Sequence, residues 1–217
     1  MFADLPAPVA ARMRELETAD AIDRSDGTPR LARLRQVPPE TGRLLAVLAA
    51  AAPEGALVEV GTSAGYSTLW LALAARERGR RVTTYEVLAD KMARAAETFA
   101  RAGVGDVVDL VAGDAREHLG ASPAIGFCFL DAEKEVYLDV GRLVADKLVP
   151  GGVLVADNLL SHAAELAEFR STIEGDARLD AVVVPIGKGV LVARRRMADP
   201  GGGEREGLGP GETRSCN

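Results

Sequence analysis

Four acids stand at comparable places in this 217-residue chain. Glu86, Asp131 and Asp157 each end an apolar, strand-like run, and Asp114 follows another such run and Gly113. One carboxylate in such a place reads equally well as a helix cap or a solvated rim. Four at one sheet edge read as a ligand site. Glu86 lies 25 residues beyond Gly61, where a carboxylate can accept two hydrogen bonds from a ribose diol. Asp131 and the Asp157-Asn158 pair offer two carboxylates and an amide oxygen. Those are hard oxygen ligands suited to Mg²⁺, which keeps its other positions for water or substrate. Lys134 follows Asp131 by three residues, so a helix starting there puts both on one side.

These side chains need a scaffold, and the stretch 56–67 supplies its centre. The run Leu57-Val58-Glu59-Val60 ends at Gly61, Gly65 follows, and residues 66–73 have helical spacing. Strand, glycine turn and helix in succession bring backbone close to a ligand and leave free N–H groups at the helix start. The turn reads Gly61-Thr62-Ser63-Ala64-Gly65, so Ser63 stands where a pyrophosphate-binding turn has its second glycine. A nucleoside without pyrophosphate is the ligand expected there.

Strand and helix patterns alternate around this centre. Helices are expected over 6–21 and 40–52, the second started by Pro38-Pro39 after a basic segment with Arg30, Arg33 and Arg35. Strands are expected over 81–86, 107–111, 125–131 and 153–157, and helices over 89–102, 115–119, 136–148 and 162–173, with Pro150-Gly151-Gly152 as a break. Two last strands, 179–184 and 190–194, flank Pro185 to Gly189 as a hairpin. Repeated βα units make a doubly wound, mostly parallel α/β sheet with helices on both faces and an antiparallel end. The expected organisation is one domain over 1–197, with an N-terminal helical segment over 1–52 and a glycine-rich, disordered tail over 198–217.

The net charge of −6 argues against a nucleic-acid partner held by a basic surface. The longest apolar stretch, residues 44–52, is too short to span a bilayer, and the N-terminus lacks a signal-peptide pattern. A cytoplasmic location is the default expectation. Cys128 and Cys216 make no disulfide framework, and Cys128 is expected as a buried small hydrophobe. Trp70 reads as core, His118 as a solvated helix residue, and His162 as a helix-start residue with no catalytic role.

Taken together, Val58-Glu59-Val60-Gly61-Thr62-x-x-Gly65-Tyr66-Ser67, Glu86, Gly113-Asp114-Ala115, Asp131-x-x-Lys134 and Asp157-Asn158 resemble the S-adenosylmethionine-dependent O-methyltransferases of the catechol and caffeoyl-CoA type. The resemblance covers roughly residues 35–194. It implies a Rossmann-like seven-stranded sheet with a reversed last strand. It further implies that Glu59, Gly61 and Gly65 shape the cofactor pocket, Ser67 binds the methionine end and Glu86 holds the ribose. Asp114 and Ala115 would sit by the adenine. Asp131 would border the cofactor and, with Asp157 and Asn158, bind a divalent metal, usually Mg²⁺. Lys134 would be the general base, and residues 36–40 resemble the segment that closes over the cofactor. Glu133 stands where many bacterial members have Asp, and no residue here matches the family's extra substrate-contacting acid. A homodimer is expected, since the family is commonly dimeric.

The activity this implies is methyl transfer to a hydroxyl of a small aromatic diol, the metal chelating both oxygens. Two other readings differ in class. One is a nicotinamide-dependent oxidoreductase on a similar sheet, disfavoured by Ser63. The other is a non-catalytic protein that binds the cofactor and acts by association.

Overall fold

The computed structural model describes residues 5–197. The expected tail over 198–217, including Cys216, lies outside the described residues. Helices α1 (Ala7–Asp23) and α2 (Pro39–Ala51) precede the sheet. Pro38 caps α2 and Pro39 is its first residue, so the proline pair starts the helix as its fixed φ allows. There follow β1 (Ala56–Val60), α3 (Tyr66–Glu77), β2 (Val82–Glu86), α4 (Ala89–Ala102), β3 (Val108–Ala112) and α5 (Ala115–Leu119). The second half holds β4 (Ile125–Leu130), α6 (Tyr137–Lys147), β5 (Leu148–Ala156), α7 (Ala167–Gly175), β6 (Leu179–Val184) and β7 (Val190–Arg195).

The strands form one seven-stranded sheet in the order β3-β2-β1-β4-β5-β7-β6. The first five are parallel, and β7 runs antiparallel to both neighbours. The order reverses beside β1, so β1 and β4 diverge to either side of a crevice at their carboxyl ends, where such sheets bind ligands. The hairpin does not simply extend the edge: β7 inserts between β5 and β6, leaving β6 outermost.

Strand alternation divides the core. Leu57, Phe127, Phe129 and Val155 face α1–α4, whereas Val58, Val60, Cys128, Leu130 and Leu154 face α5–α7. Both cores are continuous with their helices, and α3 is buried from Tyr66 through Ala75. Trp70 and Cys128 are core residues as expected. No helix among the described residues is long and apolar enough to cross a membrane.

Three local differences have physical causes. Residues 148–152 do not break the chain but begin β5, because Leu148 pairs with Ile125 before a register shift absorbs the Pro-Gly-Gly stretch. The last helix starts at Ala167, and residues 159–166 instead form turns tied to the hairpin, with Leu160 and Ser161 N–H donating to the Lys188 carbonyl. His118 is half-exposed, and its ring stacks on Tyr85 at 5.5 Å, an interaction between side chains too far apart in sequence to foresee.

Candidate functional site

A cavity of about 240 Å³ opens at the carboxyl ends of β1, β2, β4 and β5. Of the residues singled out from the sequence, Gly61, Ser67, Glu86, Asp114, Ala115, Asp131, Lys134 and Asn158 line it. Glu59, Gly65 and Asp157 do not border it and support it from behind.

The floor is the glycine turn. Gly61 has φ +100°, and a Cβ there would lie 2.0 Å from the Asp131 carbonyl oxygen, so β1 and β4 could not end side by side with any larger residue. Gly65 has φ +86° and would strike the Phe99 ring at 2.6 Å. Ser63 between them is also left-handed, at φ +49°. Its backbone N–H is already given to Glu86 Oε2 at 2.8 Å.

Glu86 is fixed by backbone alone. Oε1 accepts from the Val87 and Leu88 N–H groups, both at 2.9 Å, and Oε2 from Ser63. Such a carboxylate is preorganised, with Oε1 filled by two donors and one lone pair of Oε2 left for a ligand. Asp114 caps α5, accepting from the Arg116 N–H at 2.9 Å, and the Arg116 guanidinium beside it holds its carboxyl below the usual range.

Glu59 shows how alternation builds the wall. It points to the α1–α4 side of β1, directly opposite Thr84 on β2. Thr68 and Thr84 hydroxyls donate to its Oε2 at 2.5 and 2.7 Å. It is fully buried, and burial pushes its carboxyl up to about 7 against the Ser67, Thr68 and Thr84 hydroxyls, which pull the other way. Glu59 therefore braces the first turn of α3, and Ser67 of that turn reaches the cavity.

The opposite side carries Asp131, Lys134, Asp157 and Asn158. Asn158 Nδ2 donates to Asp131 Oδ1 at 2.9 Å, and Asn158 itself is left-handed, at φ +72°. Lys134 opens a single 3₁₀ turn, Lys134–Val136, ahead of α6. Its Nζ donates to the Ala132 carbonyl and the Tyr137 hydroxyl, each at 2.9 Å, and lies 3.6 Å from Asp131 Oδ1. Burial pushes the ammonium below the usual lysine range, against the Asp131, Asp157 and Glu133 carboxylates. Asp157 is fully buried, and neither Oδ1 nor Oδ2 has a hydrogen-bond partner among the described residues. Burial and the neighbouring Asp131 carboxylate both push its carboxyl upward.

The donor set fits a hard divalent cation. An orphaned buried carboxylate is costly unless something outside the chain completes it, and two carboxylates with an amide oxygen are the oxygen ligands Mg²⁺ takes. Among the described residues no three or more His, Cys, Asp or Glu side chains group as metal ligands. A metal held here would thus rely on Asn158 and on water or substrate for its remaining positions.

Sequence reasoning missed several contributors. Lys91, in the first turn of α4, is only 7% exposed and faces the cavity. Tyr137 is fully buried and takes the Lys134 bond. Arg30 and Arg35 reach across the cavity to Glu133. An amphipathic pattern marks Lys91 as a solvated helix-start lysine, and only the fold shows that this face is covered. His162 lines the cavity from the turn after Asn158, its Nδ1 2.9 Å from the Ser161 hydroxyl.

A family model described as O-methyltransferase matches residues 27–196. The catechol O-methyltransferase of Mycobacterium tuberculosis (strain H37Rv) is 34% identical over 174 residues, covering 77% of this chain and 71% of the relative. The crystal structure of the O-methyltransferase TomG from Streptomyces achromogenes, in complex with SAM, is similar with a TM-score of 0.71 at 26% identity, covering 83% and 89% of the two chains. That of an O-methyltransferase from Bacillus cereus, in complex with SAH, shares the fold at a TM-score of 0.72 and 23% identity, covering 86% and 91%.

Proposed function

The chain belongs to the O-methyltransferase family, and we propose that it transfers the methyl group of S-adenosylmethionine to one hydroxyl of a small aromatic diol, with a divalent metal. The observation that carries the metal and the diol is Asp157, a buried carboxylate with two orphaned oxygens beside Asp131 and Asn158. Those three residues would hold the metal. When bound, it supplies a chelation point for adjacent hydroxyls and acidifies one of them.

The chain's own groups do the rest. Glu86, its two oxygens fixed by three backbone donors, accepts from a ribose diol. Ser67, braced from behind by Glu59, meets the methionine end. Lys134 takes the proton from the acceptor hydroxyl at Nζ. A neutral amine keeps two N–H donors, and the Ala132 carbonyl and Tyr137 hydroxyl occupy both. Its lone pair is then left for the acceptor. Burial favours that neutral form. Leu34, Val37 and Tyr66 border the same cavity and exclude water from it.

The oxidoreductase reading loses support from Ser63, whose N–H is spent on Glu86 rather than free for a pyrophosphate. S-adenosylhomocysteine should raise the melting temperature and NAD should not. Initial rates on a catechol-type acceptor should vanish in EDTA and return with Mg²⁺ or Mn²⁺. Full turnover after exhaustive chelation would refute the metal role.

A further inference from the structure

We propose that Glu133 is a positioning residue: its carboxylate latches the N-terminal strap, residues 28–38, over the cavity and ties that closure to the loop bearing Asp131 and Lys134. The inference deepens the proposed function and rests on it for the identity of the enclosed ligand.

Both carboxylate oxygens of Glu133 are used. Oε1 accepts from Arg35 Nη2 at 2.5 Å and Oε2 from Arg30 Nη2 at 3.1 Å, across 98 and 103 residues of chain. The strap's other ties are on the opposite side. Leu34 N–H donates to Asp23 Oδ2 at 2.7 Å, Gln36 N–H to Asp20 Oδ1 at 3.2 Å, and the Ser63 hydroxyl to the Leu34 carbonyl at 2.8 Å. Those bonds anchor the strap to α1 and to the glycine turn. Glu133 holds its charged side chains to the β4 side.

The surroundings show why a carboxylate is needed there. Arg30 and Arg35 line the cavity together with buried Lys91, whose ammonium feels the Arg35 charge as a repulsion. Arg35 also has φ +52°, a left-handed conformation that a non-glycine residue keeps only where its surroundings hold it. Glu133 is the carboxylate that answers the two strap guanidiniums, while Lys91 is also faced by Glu86 and Asp131.

The strength of the latch suits a door. Arg30 is 62% exposed, Glu133 40% and Arg35 30%, so each pair is weak and screened by salt. A closure that must reopen to exchange cofactor needs such a contact. Glu133 lies between Asp131 and Lys134, but those two keep their own ties to Asn158, Ala132 and Tyr137, so the strap can open while they stay in place.

Amide hydrogen exchange over residues 30–37 in the ligand-free protein tests this. In wild type it should quicken about fivefold from low to roughly molar salt. Glu133→Gln should show the faster rate at low salt, with the melting temperature unchanged. Glu133→Gln combined with Arg35→Gln should add little to Glu133→Gln alone. With S-adenosylhomocysteine bound, Glu133→Gln should speed its release and raise the cofactor KM about fivefold while kcat holds or rises. Unchanged exchange in Glu133→Gln, or strictly additive effects, would overturn the latch. Wild type that fails to bind S-adenosylhomocysteine in calorimetry would instead strike the cofactor reading, and the exchange result would still decide the latch.

Discussion

Glu59 and Asp157 are both acids with no exposed surface, and burial pushes both carboxyls upward. They differ in what answers them. Glu59 receives Thr68 and Thr84 hydroxyls on one oxygen, and Thr62 in turn contacts Thr84 at 2.6 Å. Asp157 has no hydrogen bond from the described residues on either oxygen, and the charges of Lys188 and Lys134 favour its ionised form. Glu59, held by two hydroxyls on Oε2 with Oε1 left open, braces the wall. Asp157, open on both oxygens behind the cavity wall, lies beside Asp131 and the Asn158 amide, and metal binding is the role we propose for it.

The sharpest way to test the unsatisfied side is at Lys134, the proposed base on the β4 loop beside Asp131. Lys134→Ala should lower kcat by about 10²–10⁴-fold with cofactor affinity little changed. Lys134→Arg should not rescue it, since a guanidinium stays protonated. Steady-state kinetics with saturating Mg²⁺ gives the answer, and a kcat within about threefold of wild type would remove the lysine from proton transfer.

The next largest effect separates the two acids directly. Asp157→Asn should weaken Mn²⁺ binding in calorimetry by at least about 10–100-fold. In EDTA the same variant should melt no lower than wild type, because burial and the Asp131 charge outweigh the Lys188 and Lys134 attractions on the carboxylate it removes. A marked loss of melting temperature in EDTA would make Asp157 a structural acid like Glu59 and erase the contrast.

Glu86 stands between the two, satisfied by backbone yet open to the cavity. Glu86→Ala should cost about tenfold in S-adenosylhomocysteine affinity without unfolding the protein. Calorimetry on the folded variant checks it.

The effect on the binding site itself is smallest at Glu59, whose test reads stability instead. Its carboxyl rises from 4.5 to about 7 on folding. The folded state therefore keeps a proton that the unfolded chain has lost, and this contribution to stability is whole below about pH 4.5 and gone once pH passes about 7. Denaturant midpoints against pH should show Glu59→Gln lacking that decline between the two values. Mg²⁺ should leave the Glu59 share unaltered, and a slope that metal abolishes would assign it elsewhere.

Much of this could be read from residue order, for reasons that differ by region. Gly61 and Gly65 mark the floor because only glycine fits their φ and their neighbours, Asp131 and Phe99. Pro38-Pro39 marks a helix start because proline's missing donor costs nothing there. The acids at strand ends were legible because a parallel sheet puts all carboxyl ends on one side. Long-range pairings were not. Nothing near Glu133 in sequence announces Arg30 and Arg35, nothing near Tyr85 announces His118, and a lysine in the first turn of α4 carries no sign that a strap will cover it.

The inserted strand β7 has a consequence for the order in which the molecule is made. The turn it brings back, through the Lys188 and Gly189 carbonyls, receives the N–H groups of Leu159, Leu160 and Ser161, directly after Asn158. A Cβ on Gly189 would lie 2.3 Å from Leu160, so this brace is a close-fitting one. The nucleoside floor, by contrast, is built from residues 56–86. During synthesis the floor leaves the ribosome about a hundred residues before the brace does. The growing chain owns the pieces of a cofactor pocket long before β7 and its turn arrive to hold the segment after Asn158 in shape.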